Sequence, residues 1–507
     1  MRVEIRKIKL LGGILLAILL ALMAATAIGT EDYKLVALAF IGVAGIIAVH
    51  AFPAWITVLT IVVAGMSGRS ELKIGYFELF TLALLVQIVG LGALKARAFK
   101  VITGHFTLGC IFVVTGILVM HALKGGPGKR IALLAATVAL FCYLLLSGLA
   151  DMRKIRFLPL VGLFPGLVLT AFDIINLLIP AAFPITAMLY DQQNWEIRAA
   201  FSGAQFDFIR LAGLGILGGG IGMMTVVYFA VERRMTFTRF SLYSAGLFLS
   251  AALTMFSGYR SAFAAVAFQV LVGAYTRSRI LLGPIIIAGV VAIGLLILTQ
   301  NSGVDLPRPV QRALSFLPGD WDMRIKKEAA DGYAWRAQLR DTFFSKYFYN
   351  RPWLGRGLDY DDNIGNAEWM TQESEAKQII WFGYMQAWHN GFVSCLDFVG
   401  IIGTGFLILG CLRGIWNSWI VFNSRRWIHA WHLYVALGFA TTMAIFWVNG
   451  FINQSLPFIC VSLALLELAN REIKEAKAAD LLSTRDAIPT LLGDEATKVR
   501  PRVVPGR

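Results

Sequence analysis

Charge is scarce in this chain. Of 507 residues only 15% are Asp, Glu, Lys or Arg, while 57% are apolar and the mean hydropathy is +0.68. A water-soluble globule cannot clothe its surface with so few charges, so that class is excluded. Cysteine is also scarce. Cys110, Cys142, Cys395, Cys411 and Cys460 all fall in apolar stretches and none shows C-x-x-C spacing. This excludes a disulfide framework and a thiolate metal site, and leaves small buried side chains. Histidine numbers six, scattered near the ends of apolar runs, and no metal or cofactor is expected. No internal repeat is visible, which argues against a transporter assembled from two similar halves.

What is abundant is apolar sequence in runs of about 17–22 residues, the length that crosses a bilayer core. The expected fold is an all-α polytopic membrane protein with about fourteen transmembrane helices (about 12–14) and one large extracytoplasmic loop containing short helices. Spans are expected at 10–28, 35–50, 53–67, 76–94, 101–122, 131–149, 157–180, 208–230, 240–256, 260–276, 280–298, 390–412, 432–450 and 455–470. The first follows Arg2, Arg6, Lys7 and Lys9 as a signal peptide would, but it is long and lacks a clear cleavage site. It reads as an uncleaved helix with a cytoplasmic N-terminus.

The net charge of +15 could suggest nucleic acid, but most of the excess sits in short connections between apolar runs. Cytoplasmic retention of basic loops explains it, and no nucleic-acid partner is expected. Alternating the spans puts Arg153, Lys154, Arg156, Arg233, Arg234, Arg239, Arg277 and Arg279 on the side of the N-terminus. The stretch 299–389 falls on the other side, and only Lys124, Lys129 and Arg130 sit awkwardly. The organisation is thus a block of about eleven helices (1–298), a large extracytoplasmic loop (299–389), about three more helices (390–470) and a cytoplasmic tail expected to be disordered (471–507).

The loop is where chemistry is expected. It is electrically split: Asn301 to Arg356 carries ten Lys/Arg against six Asp/Glu, and Gly357 to His389 one against six. An anion would settle on the first part, where the planar fork of arginine suits phosphate oxygens. Helical character around Trp335 puts Arg336 and Arg340 four apart on one face. Aromatics follow at Phe343, Phe344, Tyr347, Phe348 and Tyr349. Arg351-Pro352-Trp353-Leu354-Gly355-Arg356-Gly357 then forces a turn. An interfacial helix whose arginines merely snorkel would read the same way.

Six of thirteen tryptophans lie in the loop, among them Trp335, Trp353 and Trp388. Their faces could stack on sugar rings, although an aromatic belt at the bilayer surface accounts for them as well. His389 opens the helix after the loop beside Asn390 and Gly391. It is the residue there able to exchange a proton near neutrality. Arg260, within Ser257-Gly258-Tyr259-Arg260-Ser261, points a permanent cation to the same side.

Three of these pieces together resemble the O-antigen ligase and O-antigen polymerase superfamily of bacterial envelope glycan transferases. They are the arginine of Ser257-Gly258-Tyr259-Arg260-Ser261, the Trp335-Arg336 pair followed by Arg351 through Gly357, and His389-Asn390-Gly391 leading to Gly400-Ile401-Ile402-Gly403. The likeness covers roughly 257–410. It departs from the family at Arg340, where tryptophan is common, so Arg336 and Arg340 both stand as the loop arginine and Arg336 is preferred.

The resemblance implies an inverting, metal-independent transfer of a glycan from a polyprenyl diphosphate to a sugar hydroxyl, at the outer face of a bacterial inner membrane. The acceptor is a growing glycan or a lipid core. His389 is the expected catalytic residue. Arg260, Arg336, Arg340 and Arg356 are the expected diphosphate ligands, with Trp335, Trp353, Trp388 and Asn390 as weaker glycan contacts. Other polysaccharide-assembly proteins are possible partners. The other class of reading is a transporter or flippase for an anionic or lipid-linked glycan. Such a protein gathers its binding groups at mid-membrane, whereas here they gather in a loop.

Overall fold

Runs of apolar residues too long for a strand, with no polar group free to hydrogen-bond a neighbour, leave the helix as the way to satisfy their own backbone in lipid. The computed structural model bears this out. It describes residues 52–64, 76–90, 105–123, 129–179, 211–357, 383, 386, 388–449 and 452–496, and among these every regular element is helical. Among the described residues seven helices are long and apolar enough to cross a membrane. They are Phe106–Leu123, Ile155–Leu178, Ala212–Val231, Phe237–Phe256, Arg279–Asn301, Gly391–Phe422 and Ala430–Trp447. The spans expected at 10–28 and 35–50 lie outside the described residues. Each of the other expected spans overlaps a helix.

We number the described helices that matter below as α1 (Pro53–Val63), α2 (Tyr76–Gly90), α3 (Phe106–Leu123), α4 (Lys129–Leu146), α5 (Phe164–Leu178), α6 (Ala212–Val231), α7 (Phe237–Phe256) and α8 (Arg260–Arg277). The series continues with α9 (Leu282–Asn301), α10 (Arg308–Leu314), α11 (Met323–Thr342), α12 (Gly391–Phe422), α13 (Ala430–Asn449) and α14 (Ile452–Ala496). Two packing centres organise them. The glycine-rich α6 packs against α5, α7 and α8, and α12 packs against α3, α13 and α14.

Small residues on α6 let backbones approach, as is common where helices meet without a hydrophobic driving force. Ser250 of α7 donates its hydroxyl to Gly218 O at 2.6 Å. Asp173 of α5 accepts the Gly213 amide at 2.7 Å, capping the start of α6 from a neighbouring helix. Around α12 the core is apolar: Cys395, Phe398, Val399 and Leu407 pack with Leu433, Leu437, Ile459 and Leu463.

Of the tail expected at 471–507, residues 497–507 lie outside the described residues. Residues after Arg471, expected to be disordered, continue α14 as helix to Ala496. Three of its charged side chains have partners. His432 meets Glu472 at 3.0 Å, Arg426 meets Asp480 at 2.9 Å, and Lys477 donates to Ser424 Oγ at 3.0 Å. These contacts hold the extension of α14 against the α12–α13 connection.

The long loop is tied to the bundle at two places. Val310, Leu314 and Trp321 form an apolar cluster with Met255, Phe263, Leu296 and Ile297, which seats α10 on α7, α8 and α9. Farther along, Trp335 and Leu339 of α11 recur at the same four-residue interval as Phe343 just after it, and the three make one stripe. That stripe packs with Trp388, just before α12, and with Val393 and Leu396 in its first two turns.

Candidate active site

The α11 stripe determines where the loop arginines go. With Trp335 and Leu339 turned toward α12, Arg336 and Arg340, each one residue on, stand at the rim and are exposed. Arg340 has Asp341 beside it at 3.8 Å. The Arg336 guanidinium bends back to Gly332 O at 3.4 Å. Trp335 is half-buried and meets the His389 ring edge-on, with centroids 5.2 Å apart.

His389 occupies a left-handed backbone conformation (φ 49°), as does Gln386 (φ 54°). Neither is glycine, and such strain persists where neighbouring contacts enforce it. Asn390 follows as the cap of α12, its Oδ1 accepting the Val393 amide at 3.0 Å. Part of His389 reaches solvent, but the ring sits deep among protein atoms. That desolvation, joined by the nearby Arg336 cation, pushes its pKa down to about 4. Both causes penalise the imidazolium, so the ring is neutral at ordinary pH. Arg336 and His389 are therefore brought together, one exposed cation beside one neutral base.

Arg260 begins α8 and its contacts run to α10. Its Nε donates to Arg312 O at 2.9 Å and one terminal nitrogen to Ser315 Oγ at 2.8 Å. Arg308 and Arg312, one turn apart on α10, bring further cations to the same element. Their spacing was visible in the sequence, but nothing there linked them to Arg260.

Arg356 lies elsewhere than a solvent-facing ligand would. Its Nε and a terminal nitrogen grip Asp397 of α12 at 2.5 and 2.7 Å, and the guanidinium lies over Tyr347 at 4.3 Å. Trp388 is buried to 1%, edge-on to Phe343 and Tyr347, with its N–H donated to Asp397 at 2.7 Å. An indole enclosed in this way offers no face to a sugar. Trp353 is exposed and offers one.

The turn from Arg351 to Gly357 is spliced into α12. At Gly400 the helix breaks (φ 66°, ψ −170°). The freed backbone groups bond to the turn: Ile401 N to Pro352 O, Ile402 N to Trp353 O, Arg356 N to Asp397 O and Gly357 N to Phe398 O, at 2.6–3.2 Å. The Gly-x-x-Gly pattern thus marks a break in a helix where a second chain segment is received. From the far side, His121 of α3 meets Leu354 O at 2.8 Å. Asp397 and His121 had no assigned role in the sequence. An acidic residue inside an apolar run was the available signal for the first; the partner of the second depends on tertiary folding.

Residues 245–408 match the O-antigen ligase family. The matched segment contains Arg260, Arg336, Arg340, Arg356, His389 and Asn390, and runs from within α7 to within α12. A search of curated proteins finds no match to the chain.

Proposed function

We propose that the chain is an envelope glycan transferase that moves a glycan from a polyprenyl diphosphate to an acceptor hydroxyl, either as a ligase onto a lipid core or as a polymerase of repeat units. The observation that carries this reading is the neutral His389 held beside the exposed Arg336 within an O-antigen ligase domain. Diphosphate oxygens settle on Arg336 by charge-assisted hydrogen bonds, with Arg260 and Arg340 as further ligands. Stabilising charge on the leaving diphosphate is the task a metal performs elsewhere, and fixed guanidinium groups can perform it here.

The acceptor hydroxyl donates its hydrogen bond to an imidazole nitrogen of His389. As its oxygen bonds to the anomeric carbon, the proton passes to His389 and the bond to the diphosphate breaks on the opposite face, inverting the centre. A pKa of about 4 makes His389 a feeble base in the empty site. A bound diphosphate offsets the Arg336 cation and adds negative charge, both of which raise that pKa. The base is thus strengthened by the donor it serves.

In this reading the chain has about fourteen spans, both termini are cytoplasmic, and the loop lies on the outer face of a bacterial inner membrane, where a donor enters sideways from the bilayer. The test mixes purified protein with a polyprenyl diphosphate glycan and an acceptor, with and without chelator. Product should form in chelator, and His389→Ala and Arg336→Ala should each lose about 100-fold or more. Normal transfer by both variants would overturn the site, and transport without transfer would overturn the function.

A further inference from the structure

Asp397 lies two turns into α12 and is 2% exposed. A carboxylate inside an apolar helix is costly unless its oxygens are fully engaged, and such residues usually mark function. Here both oxygens are engaged. Oδ1 accepts Arg356 Nε at 2.5 Å; Oδ2 accepts a terminal Arg356 nitrogen at 2.7 Å, Gln386 Nε2 at 3.0 Å and Trp388 Nε1 at 2.7 Å.

The donors all come from the chain that leads to His389. Gln386 and Trp388 belong to the segment that ends on it, and Gln386 also donates to Gly357 O at 2.8 Å. Arg356 links the same segment to the spliced turn through Gly383 O at 3.3 Å. Gln386 and His389 are the two described non-glycine residues with positive φ, so the backbone between them needs external restraint. The carboxylate supplies that restraint at both Gln386 and Trp388.

We infer that Asp397 is a positioning residue for glycan transfer: its carboxylate gathers Arg356, Gln386 and Trp388 and so fixes the left-handed turn that presents His389 to Arg336. This inference rests on the function proposed above. Asp397 touches neither His389 nor the rim of the loop in this arrangement, and acts through Trp388 and Gln386.

Asp397→Asn tests it, because the side chain keeps its size but replaces an accepting oxygen with a donor facing other donors. Displacement of His389 by a fraction of its reach should lower kcat about 100-fold, with the donor KM changed little. A released His389 is better hydrated, so the acid limb of the pH profile of kcat/KM, which reports the free enzyme, should rise from about 4 toward the ordinary histidine value. Arg336, on α11, is the charged group that acts on His389 among the described residues, and it is unaltered in this variant. Loss of folded protein alone would not move that limb.

Trp388→Phe and Gln386→Leu each remove one donor and should shift kcat and the limb in the same direction by less. They carry the test if Asp397→Asn does not fold. Folded variants with wild-type kcat and limb, or a loss explained entirely by the amount of folded protein, would overturn the inference. His389→Ala measured alongside separates the failures. If it transfers normally, the assignment of His389 falls; if it is inactive while Asp397→Asn behaves as wild type, the clamp alone falls.

Discussion

Replacing Gly400 by alanine would test whether the break in α12 is the joint on which the site depends. At φ 66° and ψ −170° the residue occupies a region open essentially to glycine, and an alanine there is strained by about 1–3 kcal/mol. The added Cβ would also fall inside contact distance of Trp353 O and the amide nitrogens of Leu354 and Gly355. These are backbone atoms and cannot swing aside. The mirror-image contact is equally close, since a Cβ on Gly355 would lie 2.6 Å from Asp397 O and Gly400 N.

The turn must therefore withdraw. Each of its four hydrogen bonds to α12 contributes about 1 kcal/mol net, so losing half of the splice adds roughly 2 kcal/mol. The total expected loss is about 3–5 kcal/mol. Thermal unfolding of the detergent-purified protein, followed by size-exclusion fluorescence, would read it. Gly405→Ala is the matched control, because it lies in the same helix with nothing within 4 Å of its Cβ. It should be neutral or stabilising by up to about 1 kcal/mol. A Gly400→Ala protein that unfolds at the wild-type temperature would refute the reasoning.

The remaining predictions concern the charges of the site. The folded protein holds the His389 pKa down at about 4, while the unfolded chain takes a proton near 6.5. This residue should therefore lower stability as pH falls from 6.5 to about 4 and have no further effect below that; kcat/KM for the donor, which reports the free enzyme, should persist to about pH 4 and then fall, with the acid limb of kcat at higher pH. Arg336→Gln removes a cation that depresses this pKa, so the acid limb of its pH–rate profile should move up relative to wild type. A limb that stays in place would mean that the two groups are not coupled. Arg260→Met loses the bonds to both Arg312 O and Ser315 Oγ, so it should destabilise the seat of α10 by about 1–2 kcal/mol in thermal unfolding and raise the donor KM.

Much of the architecture could be read from residue order, because hydrophobic length and helical spacing are local properties. The apolar runs became helices where the structure describes them, and the four-residue spacing that put Arg336 and Arg340 on one face is shared by Trp335, Leu339 and Phe343, whose packing the structure adds. The pairing of Arg336 with a histidine more than fifty positions away followed in part from that face, since a stripe that packs on α12 leaves the adjacent arginine at its edge. The helix over 471–496 was not legible, because charges such as Glu472, Lys477 and Asp480 look like solvated disorder until His432, Ser424 and Arg426 are placed beside them.

By itself the sequence determined that this is a helical membrane protein with an arginine-rich, tryptophan-rich loop followed by a histidine. Composition and spacing suffice for that, since a bilayer admits few ways of satisfying an apolar backbone. Which arginines face outward was decided by tertiary structure. Arg356 and Arg336 have the same chemistry and lie in the same loop, yet one is bound to a buried carboxylate and the other stands exposed beside a neutral imidazole. The difference lies in Asp397 and Gly400: a break in one helix opens backbone groups to a distant turn, and a buried charge collects the donors that turn brings.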